Sequence, residues 1–363
     1  MNTFGKTIGL TIFGESHGLS IGAVLDGLPS GEAIDWNAVR AEMARRAPGK
    51  NQMSTARSEK DAFEVQSGFF NGYTTGTPLC AIIRNSDQHS RDYDQLRHLM
   101  RPGHADYSGK IRYGGFNDYR GGGHFSGRLT APLVFAGAVA SQILARHGIT
   151  VGSHILRLAG IADKPFTAIG ETAETLQALK KETLPVLDKA QAGPMEEKIL
   201  AAKNDLDSVG GVIECMVTGL PAGIGDPFFD SVESQVSHMM FSVPAVKGIE
   251  FGDGFSLAEL RGSQANDAFY YDGDVVKTRT NHNGGINGGI TNGMPVVFRL
   301  AIKPTASISQ KQATIDTDTK GNCDLVIKGR HDPCIVQRAI PVVEAAAAWA
   351  ILDVCLSEKG RCW

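Results

Sequence analysis

Two short motifs occur twice in this chain, in the same order, and that repetition limits the fold more than any other feature. Gly22-Ala-Val-Leu-Asp-Gly-Leu-Pro-Ser-Gly31 is matched by Cys215-Met-Val-Thr-Gly-Leu-Pro-Ala-Gly223. An expected helix follows each copy, opened by Asp35 or Asp230 and ending at Ala47-Pro-Gly49 or at Pro244-Ala-Val-Lys-Gly248. Further on, Gly72-Tyr-Thr-Thr-Gly-Thr-Pro78 is matched by Gly289-Ile-Thr-Asn-Gly-Met-Pro295, each leading into an apolar strand, Leu79 to Ile83 and Val296 to Ile302. The shared order predicts two related strand-helix-strand halves, roughly 7–110 and 208–310, packed as one domain over 1–363. Unrelated turns with common Gly-Pro chemistry are the alternative.

Three helical stretches complete the outline. Arg128 to His147 is apolar nearly all the way round and is expected between two sheets, with Pro132 in its first turn. Thr172 to Asp207 is charged and amphipathic and is expected as a surface helical pair broken at Gly193-Pro194. Val336 to Leu356 is largely apolar, but Glu344 and Asp353 interrupt it, so it is expected as a core helix and not as a membrane span. Two sheets with helices between and outside them define an α+β class, a layered β-α-β sandwich with internal pseudo-duplication.

Charge and cysteine usage exclude several functions. With 36 basic and 39 acidic side chains the net charge is -3, which gives no global attraction to nucleic acid or anionic lipid. The six cysteines never form C-x-x-C, so they are expected to be small buried hydrophobes or free thiols in a reducing, cytoplasmic compartment. No H-e-x-x-H-type spacing or G-x-S-x-G elbow occurs, which argues against metal and serine hydrolases; no metal ligands are assigned.

Glycine is in excess, at 43 of 363 residues, where ordinary chains carry about 7%. No G-x-G-x-x-G or P-loop accounts for it. The glycines instead frame loops bearing charged or proton-active groups: Gly14-Glu-Ser-His-Gly18, Arg45-Arg-Ala-Pro-Gly-Lys50, Arg101-Pro-Gly-His-Ala-Asp106, Arg120-Gly-Gly-Gly-His-Phe-Ser126, Asn281-His-Asn-Gly-Gly285 and Lys328-Gly-Arg-His-Asp332. From Arg40 to Thr130 there are 14 Lys or Arg against 9 Asp or Glu, a local +5 inside an acidic protein. A solvated basic face would give the same excess, but these arginines lie beside glycines and not in helical salt-bridge spacing, which favours a focused anion site. Arg120 to Arg128, a glycine loop feeding a helix start, is expected to offer free N–H groups to a phosphate. His17 and His104 stand out as proton donors because each sits in a short glycine loop beside a carboxylate or arginine. Asp332 is a candidate base, with structural pairing to an arginine as its competitor. These residues alone point to a cytoplasmic enzyme for small, multiply anionic, phosphate-bearing ligands.

At these same loops the chain resembles the chorismate synthase family. The resemblance rests on Thr11-Ile-Phe-Gly-Glu-Ser-His-Gly18, Arg45-Arg with Pro48-Gly49, Arg101-Pro-Gly-His-Ala-Asp-Tyr107, Asp118-Tyr-Arg-Gly-Gly-Gly123, Ala245-Val-Lys-Gly-Ile-Glu-Phe-Gly-Asp-Gly254, Arg261-Gly-Ser263, Lys303-Pro-Thr305 and Gly329-Arg-His-Asp-Pro-Cys334. It implies a lyase that eliminates phosphate from 5-enolpyruvylshikimate 3-phosphate to give chorismate, needs reduced FMN, and closes the common part of the shikimate pathway. It further implies a homotetramer, with NADPH serving as an indirect reductant. A flavin-independent phosphate-binding lyase or transferase of the same fold is the alternative. By resemblance His17 protonates the departing phosphate, His104 meets the reduced flavin, and Asp332 is coupled to proton removal near it. Arg45, Arg46, Arg101 and Arg128 fall at substrate-binding arginines, with Arg46 also at a position for NADPH. Flavin contacts are implied at His124, Phe125, Ser126, Pro244, Ala245, Gly288, Lys303, Pro304, Thr305, Ala306, Ser307 and Arg330. One segment departs: the common family pattern Arg-Ser-Ser-Ala-Arg-Glu-Thr is here His124-Phe-Ser-Gly-Arg-Leu-Thr130, which implies a variant flavin or phosphate contact. Pro244, often Asn in relatives, is a smaller departure of the same kind.

Overall fold

The computed structural model describes residues 1–48, 52–54, 61–85, 96–327 and 331–357. One sheet holds β1 (Thr3–Phe4), β2 (Gly9–Gly14), β3 (Ser20–Asp26), β4 (Phe63–Ser67) and β7 (Leu79–Arg84), in the order β1-β2-β3-β7-β4, with a hairpin of β5 (Phe69–Phe70) and β6 (Tyr73–Thr74) beside it. The other holds β8 (Thr150–Leu158), β9 (Ile161–Ala162), β10 (Gly211–Thr218), β11 (Val246–Phe251) and β16 (Val296–Ile302), in the order β11-β16-β10-β8-β9. Between β11 and β16 the chain makes two small hairpins, β12 (Phe269–Asp272) with β13 (Val275–Thr278), and β14 (Ile286–Asn287) with β15 (Ile290–Thr291).

The two sheets share one plan. Reading from one edge, β4-β7-β3-β2 corresponds to β11-β16-β10-β8, and every pairing is antiparallel. Each edge pair carries an irregularity, between Val65 and Ser67 opposite the start of β7 and between Val246 and Gly248 opposite the end of β16. The correspondence reaches back to β8, ahead of residue 208, because an inserted helical segment separates β8 from β10.

Alternation of side chains decides which face each sheet buries. Ile21, Ala23 and Leu25 of β3 and Leu79, Ala81 and Ile83 of β7 point inward, as do Ile213, Cys215 and Val217 of β10 and Val296, Phe298 and Leu300 of β16. These faces close on a middle layer of helices: α1 (Trp36–Arg46), α3 (Thr130–Arg146), α6 (Val232–Ser242) and α8 (Val336–Ser357), with α3 packed on α8, α1 beside α3 and α6 beside α8. The outer face of the second sheet, at Met216 and Val297, is covered by Phe166 and by Leu176 and Leu179 of α4 (Ala173–Leu179).

Segments 127–146 and 336–357 are long and apolar enough to cross a membrane, yet both lie packed within this layer. The two acids that interrupt α8 are partnered: Glu344 accepts from Ser153 N–H at 3.0 Å, and Asp353 accepts from the N–H groups of Thr7 and Ile8 at 2.8 and 2.9 Å. One expectation is corrected. Gly193 and Pro194 do not break a helix; they lie in the first turn of α5 (Ala192–Asn204), where a missing N–H leaves no bond unmade. The remaining elements are α2 (Asp106–Arg112), a short α7 (Gly262–Ala265), and the hairpin of β17 (Gln312–Asp316) with β18 (Gly321–Leu325).

Candidate functional site

Loops distant in sequence meet around two adjacent compartments that share a wall of Ser126, Gly127, Thr130, Pro244, Asp332 and Ile335. The larger, of about 760 Å³, is lined by Arg101, His104, His124 and Phe125 on one side and by Pro244, Ala245 and Lys303 to Ser307 on the other. The smaller, of about 220 Å³, takes Arg46, Arg128 and Arg338 into its wall.

Asp106, in the first turn of α2, organises the larger compartment. Its carboxylate accepts from Arg101 Nε at 2.7 Å and Arg101 Nη2 at 2.8 Å, and it lies 2.7 Å from His104 Nδ1. Burial alone would raise this carboxyl, but the hydrogen bonds from Arg101 and His104 hold it far below the usual carboxylate range. Arg101 also donates to Ser307 Oγ at 3.3 Å, joining the loop to the strand-end segment 303–307. Lys303 N–H donates to the carbonyl of Ala245, and Lys303 Nζ to that of Gly103 at 2.8 Å. Burial, with Lys247 nearby, pushes the Lys303 ammonium down. Ala245 itself has φ 74, a conformation that a non-glycine residue holds only when its surroundings impose it.

The glycine loop separates the two histidines. Gly121 and Gly122 both have positive φ, 58 and 84. A β-carbon on Gly121 would fall 2.2 Å from His17 Nδ1 and Cε1, and one on Gly122 would fall 3.2 Å from His104 Cε1. His17 is 5% exposed and sits behind Gly121, so Gly121 and not the imidazole lines the compartment. Asn85 fixes that loop by donating to the carbonyls of Glu15 and Gly18, both at 3.0 Å, and Ser16 N–H donates to the carbonyl of Gly123.

In the smaller compartment, Asp61 lies between two arginines. Arg46 Nε donates to Asp61 Oδ2 at 2.7 Å, Arg128 Nη1 donates to Oδ1, and all three side chains are almost wholly buried. Arg46 reaches on to Thr130 Oγ1 at 3.2 Å, and Arg128 Nε to Asn85 Oδ1 at 3.1 Å. Asp332 pairs with Arg338 at 2.6 Å. Beside it, burial and the charge of Arg101 push the His331 imidazole down.

Not every expected residue arrives here. Arg45, adjacent to Arg46 on α1, pairs with Glu42 and Glu344 at 2.5 and 2.6 Å in a separate cluster and lines neither compartment, since successive helical residues point about 100° apart. Gly288 is exposed in the turn between β14 and β15, whose backbone bonds run to the 223–232 loop. Arg330 lies outside the described residues. The expectation of free amides along Arg120 to Arg128 is also corrected: Gly122 and Ser126 N–H groups close turns onto Tyr119 and Gly123, and Ser126 Oγ accepts from Arg128 N–H. His124 Nδ1 is 2.8 Å from the carbonyl of Gly14, and the Phe125 ring lies against Gly109 and near Tyr113. Asp61 and Arg338 were not singled out from sequence; each is one charged residue with no motif around it.

The donor set fits a flavin phosphate and ring. The larger compartment lies within the about 300–1,000 Å³ typical of cofactor sites, combines cations with apolar Leu129, Leu133 and Met239, and buries Thr305 Oγ1 with no hydrogen-bond partner among the described residues.

A cationic compartment joined to one bearing histidine and carboxylate defines an enzyme site for a multiply anionic small molecule. The chorismate synthase family profile matches residues 8–356. Relatives named chorismate synthase include those of Dehalococcoides mccartyi, 44% identical with 98% of this chain and 96% of the relative covered, and Thermococcus gammatolerans, 44% identical with 98% of each covered. A crystal structure of chorismate synthase aligns at a TM-score of 0.76 and 28% identity, over 98% of this chain and 94% of that one. The chain belongs to the chorismate synthase family, and it is an enzyme, a lyase of the shikimate pathway.

Proposed function

We propose that this enzyme catalyses the anti-1,4-elimination of phosphate from 5-enolpyruvylshikimate 3-phosphate, giving chorismate, with reduced FMN bound in the larger compartment. The observation that carries this reading is the shared wall, which sets Arg46 and Arg128 on one side of Asp332 and Arg101, His104 and Lys303 on the other. Bound reduced flavin supplies electron density toward the breaking C–O bond.

The chain's own residues bind, orient and move protons. Arg46 and Arg128 hold the anionic groups of the substrate, and Lys303 with the 304–307 backbone and hydroxyls holds the flavin. As the C–O bond breaks, the phosphate oxygen takes a proton from His17, which packs directly behind Gly121 of the cavity wall. The C–H proton on the opposite side of the new diene passes to Asp332, so charge and atoms balance with no net oxidation. His104, oriented by Asp106, would present its ring to the flavin.

The same reading makes the enzyme a cytoplasmic homotetramer that depends on an outside, NADPH-linked reductant for its flavin. Purified protein with anaerobically reduced FMN is expected to release phosphate and chorismate in equal amounts from the substrate. Folded protein that fails to turn over under these conditions overturns the proposal. Turnover driven by NADPH and oxidised FMN alone would overturn the outside-reductant part of it.

A further inference from the structure

The geometry points to Arg338 as a positioning residue that holds the Asp332 carboxylate oriented in the wall shared by the two compartments. This rests on the reading of Asp332 as the proton acceptor.

Arg338 is fixed at both ends. Its Nη1 donates to Asp332 Oδ2 at 2.6 Å, and its Nε donates to the backbone carbonyl of Arg46, the last residue of α1, at 3.2 Å. The guanidinium therefore ties the carboxylate to the helix end that also carries the Arg46 side chain into the smaller compartment. Both side chains are mostly buried, at 20% and 13% exposure, so the pair is screened far less than a surface one.

The placement is electrostatically awkward for the helix. Arg338 lies in the first turn of α8, which begins at Val336, and a cation there opposes the positive end of the helix dipole. Asp332 just ahead of that turn offsets it. An arginine kept at this position with its charge spent on Asp332 is explained by what it does to the carboxylate.

Other groups also face Asp332 across the cavity. Arg46 and Arg128 look in from the smaller compartment, Arg101, His104 and Lys303 from the larger, and His331 is its chain neighbour. Arg338 meets the carboxylate at direct hydrogen-bonding distance, 2.6 Å. A base that takes a proton from a fixed C–H bond must be held in orientation while it does so.

The test uses R338M and R338Q, which remove the charge, with R338K, which keeps it. In ligand-free full-length protein labelled with carboxyl-13C aspartate, the Asp332 signal is assigned by its loss in D332N. The chemical shift of that signal is expected to move in R338M and R338Q and to stay near wild type in R338K. In steady-state assays with reduced FMN, kcat is expected to fall about tenfold in R338M and R338Q and to be largely restored in R338K, while KM for the substrate changes little. Folded R338M or R338Q with an unmoved Asp332 signal overturns the inference, as does a fall in kcat that R338K shares in full. If the wild-type protein shows no turnover, the functional reading fails, and the Asp332 signal of the ligand-free protein still decides the role of Arg338.

Discussion

Gly121 lies against His17 so closely that a β-carbon on it would fall 2.2 Å from the imidazole Nδ1 and Cε1, and its φ of 58 is one that alanine resists. The absence of a side chain is what lets His17 stay both packed and within reach of the cavity. Gly121→Ala is therefore expected to displace His17 and lower kcat by about 10²-fold, the usual scale for losing a general acid. Gly193→Ala, in the first turn of α5 with open space around it, is the control and should leave phosphate release unchanged. Equal activity in the two variants would show that His17 does not depend on the bare backbone.

Asp61 holds Arg46 and Arg128 together with almost no solvent around any of the three. Replacing it by Asn removes the carboxylate charge between two buried guanidinium groups, and breaking a buried pair costs about 3–5 kcal/mol. Urea denaturation of Asp61→Asn should show a loss of that size. Inorganic phosphate should stabilise the variant more than the wild type, because an added anion restores the missing countercharge. A variant as stable as wild type in the absence of phosphate would contradict this account.

How much of this site was legible beforehand depends on whether one residue or a set of residues encodes each part. The sheets were legible because alternation at Ile21, Ala23 and Leu25, and again at Ile213, Cys215 and Val217, repeats over many positions. The loops around His104 and Arg101 were legible because their glycines cluster with charges. Asp61 was not, since one acid of the charged run Ser58-Glu-Lys-Asp61 looks like any solvated charge until the fold brings it 2.6 Å from Arg46. Arg45 was misassigned for a related reason: adjacent arginines share a motif, but the helical rotation sends one to the cavity and the other to Glu42 and Glu344. The likeness of the two sheets reaches β8, which was not legible, because helices separate it from β10 and no short motif marks it.

His104 is held by the same carboxylate that holds Arg101, so substitutions at His104 and at Asp106 should have separable effects. His104→Ala is expected to lower kcat by about 10²-fold while substrate binding persists. Asp106→Asn removes the partner of both residues, and should raise KM for the anionic substrate as well as lowering kcat, since Arg101 is freed from its bidentate geometry. Steady-state kinetics at fixed reduced FMN measure both. Unchanged KM in Asp106→Asn would mean that Arg101 is positioned by Ser307 and its own backbone instead.

Away from the cavity, His154 is fully buried with Nδ1 3.0 Å from Asp163 and Nε2 2.9 Å from Glu214. Only the imidazolium can donate to both carboxylates. Burial pushes the ring toward neutrality, but the hydrogen bonds to Asp163 and Glu214 outweigh it and raise its pKa, while both carboxyls are lowered. The raised histidine contributes stability that is complete below its unfolded value of about 6.5 and is lost as pH rises through its folded value. The lowered acids contribute above their unfolded values of about 4 and lose that contribution as pH falls through their folded ones. The cluster therefore stabilises most between about pH 4.5 and 6.5. Denaturation midpoints of the wild type are expected to fall as pH rises from 6.5 toward 9, and His154→Gln, which cannot gain a proton, should be less stable at pH 6 and lack that decline. A wild-type midpoint that is flat across this range would mean that His154 is neutral in the folded protein and that one of its carboxylate partners carries the proton.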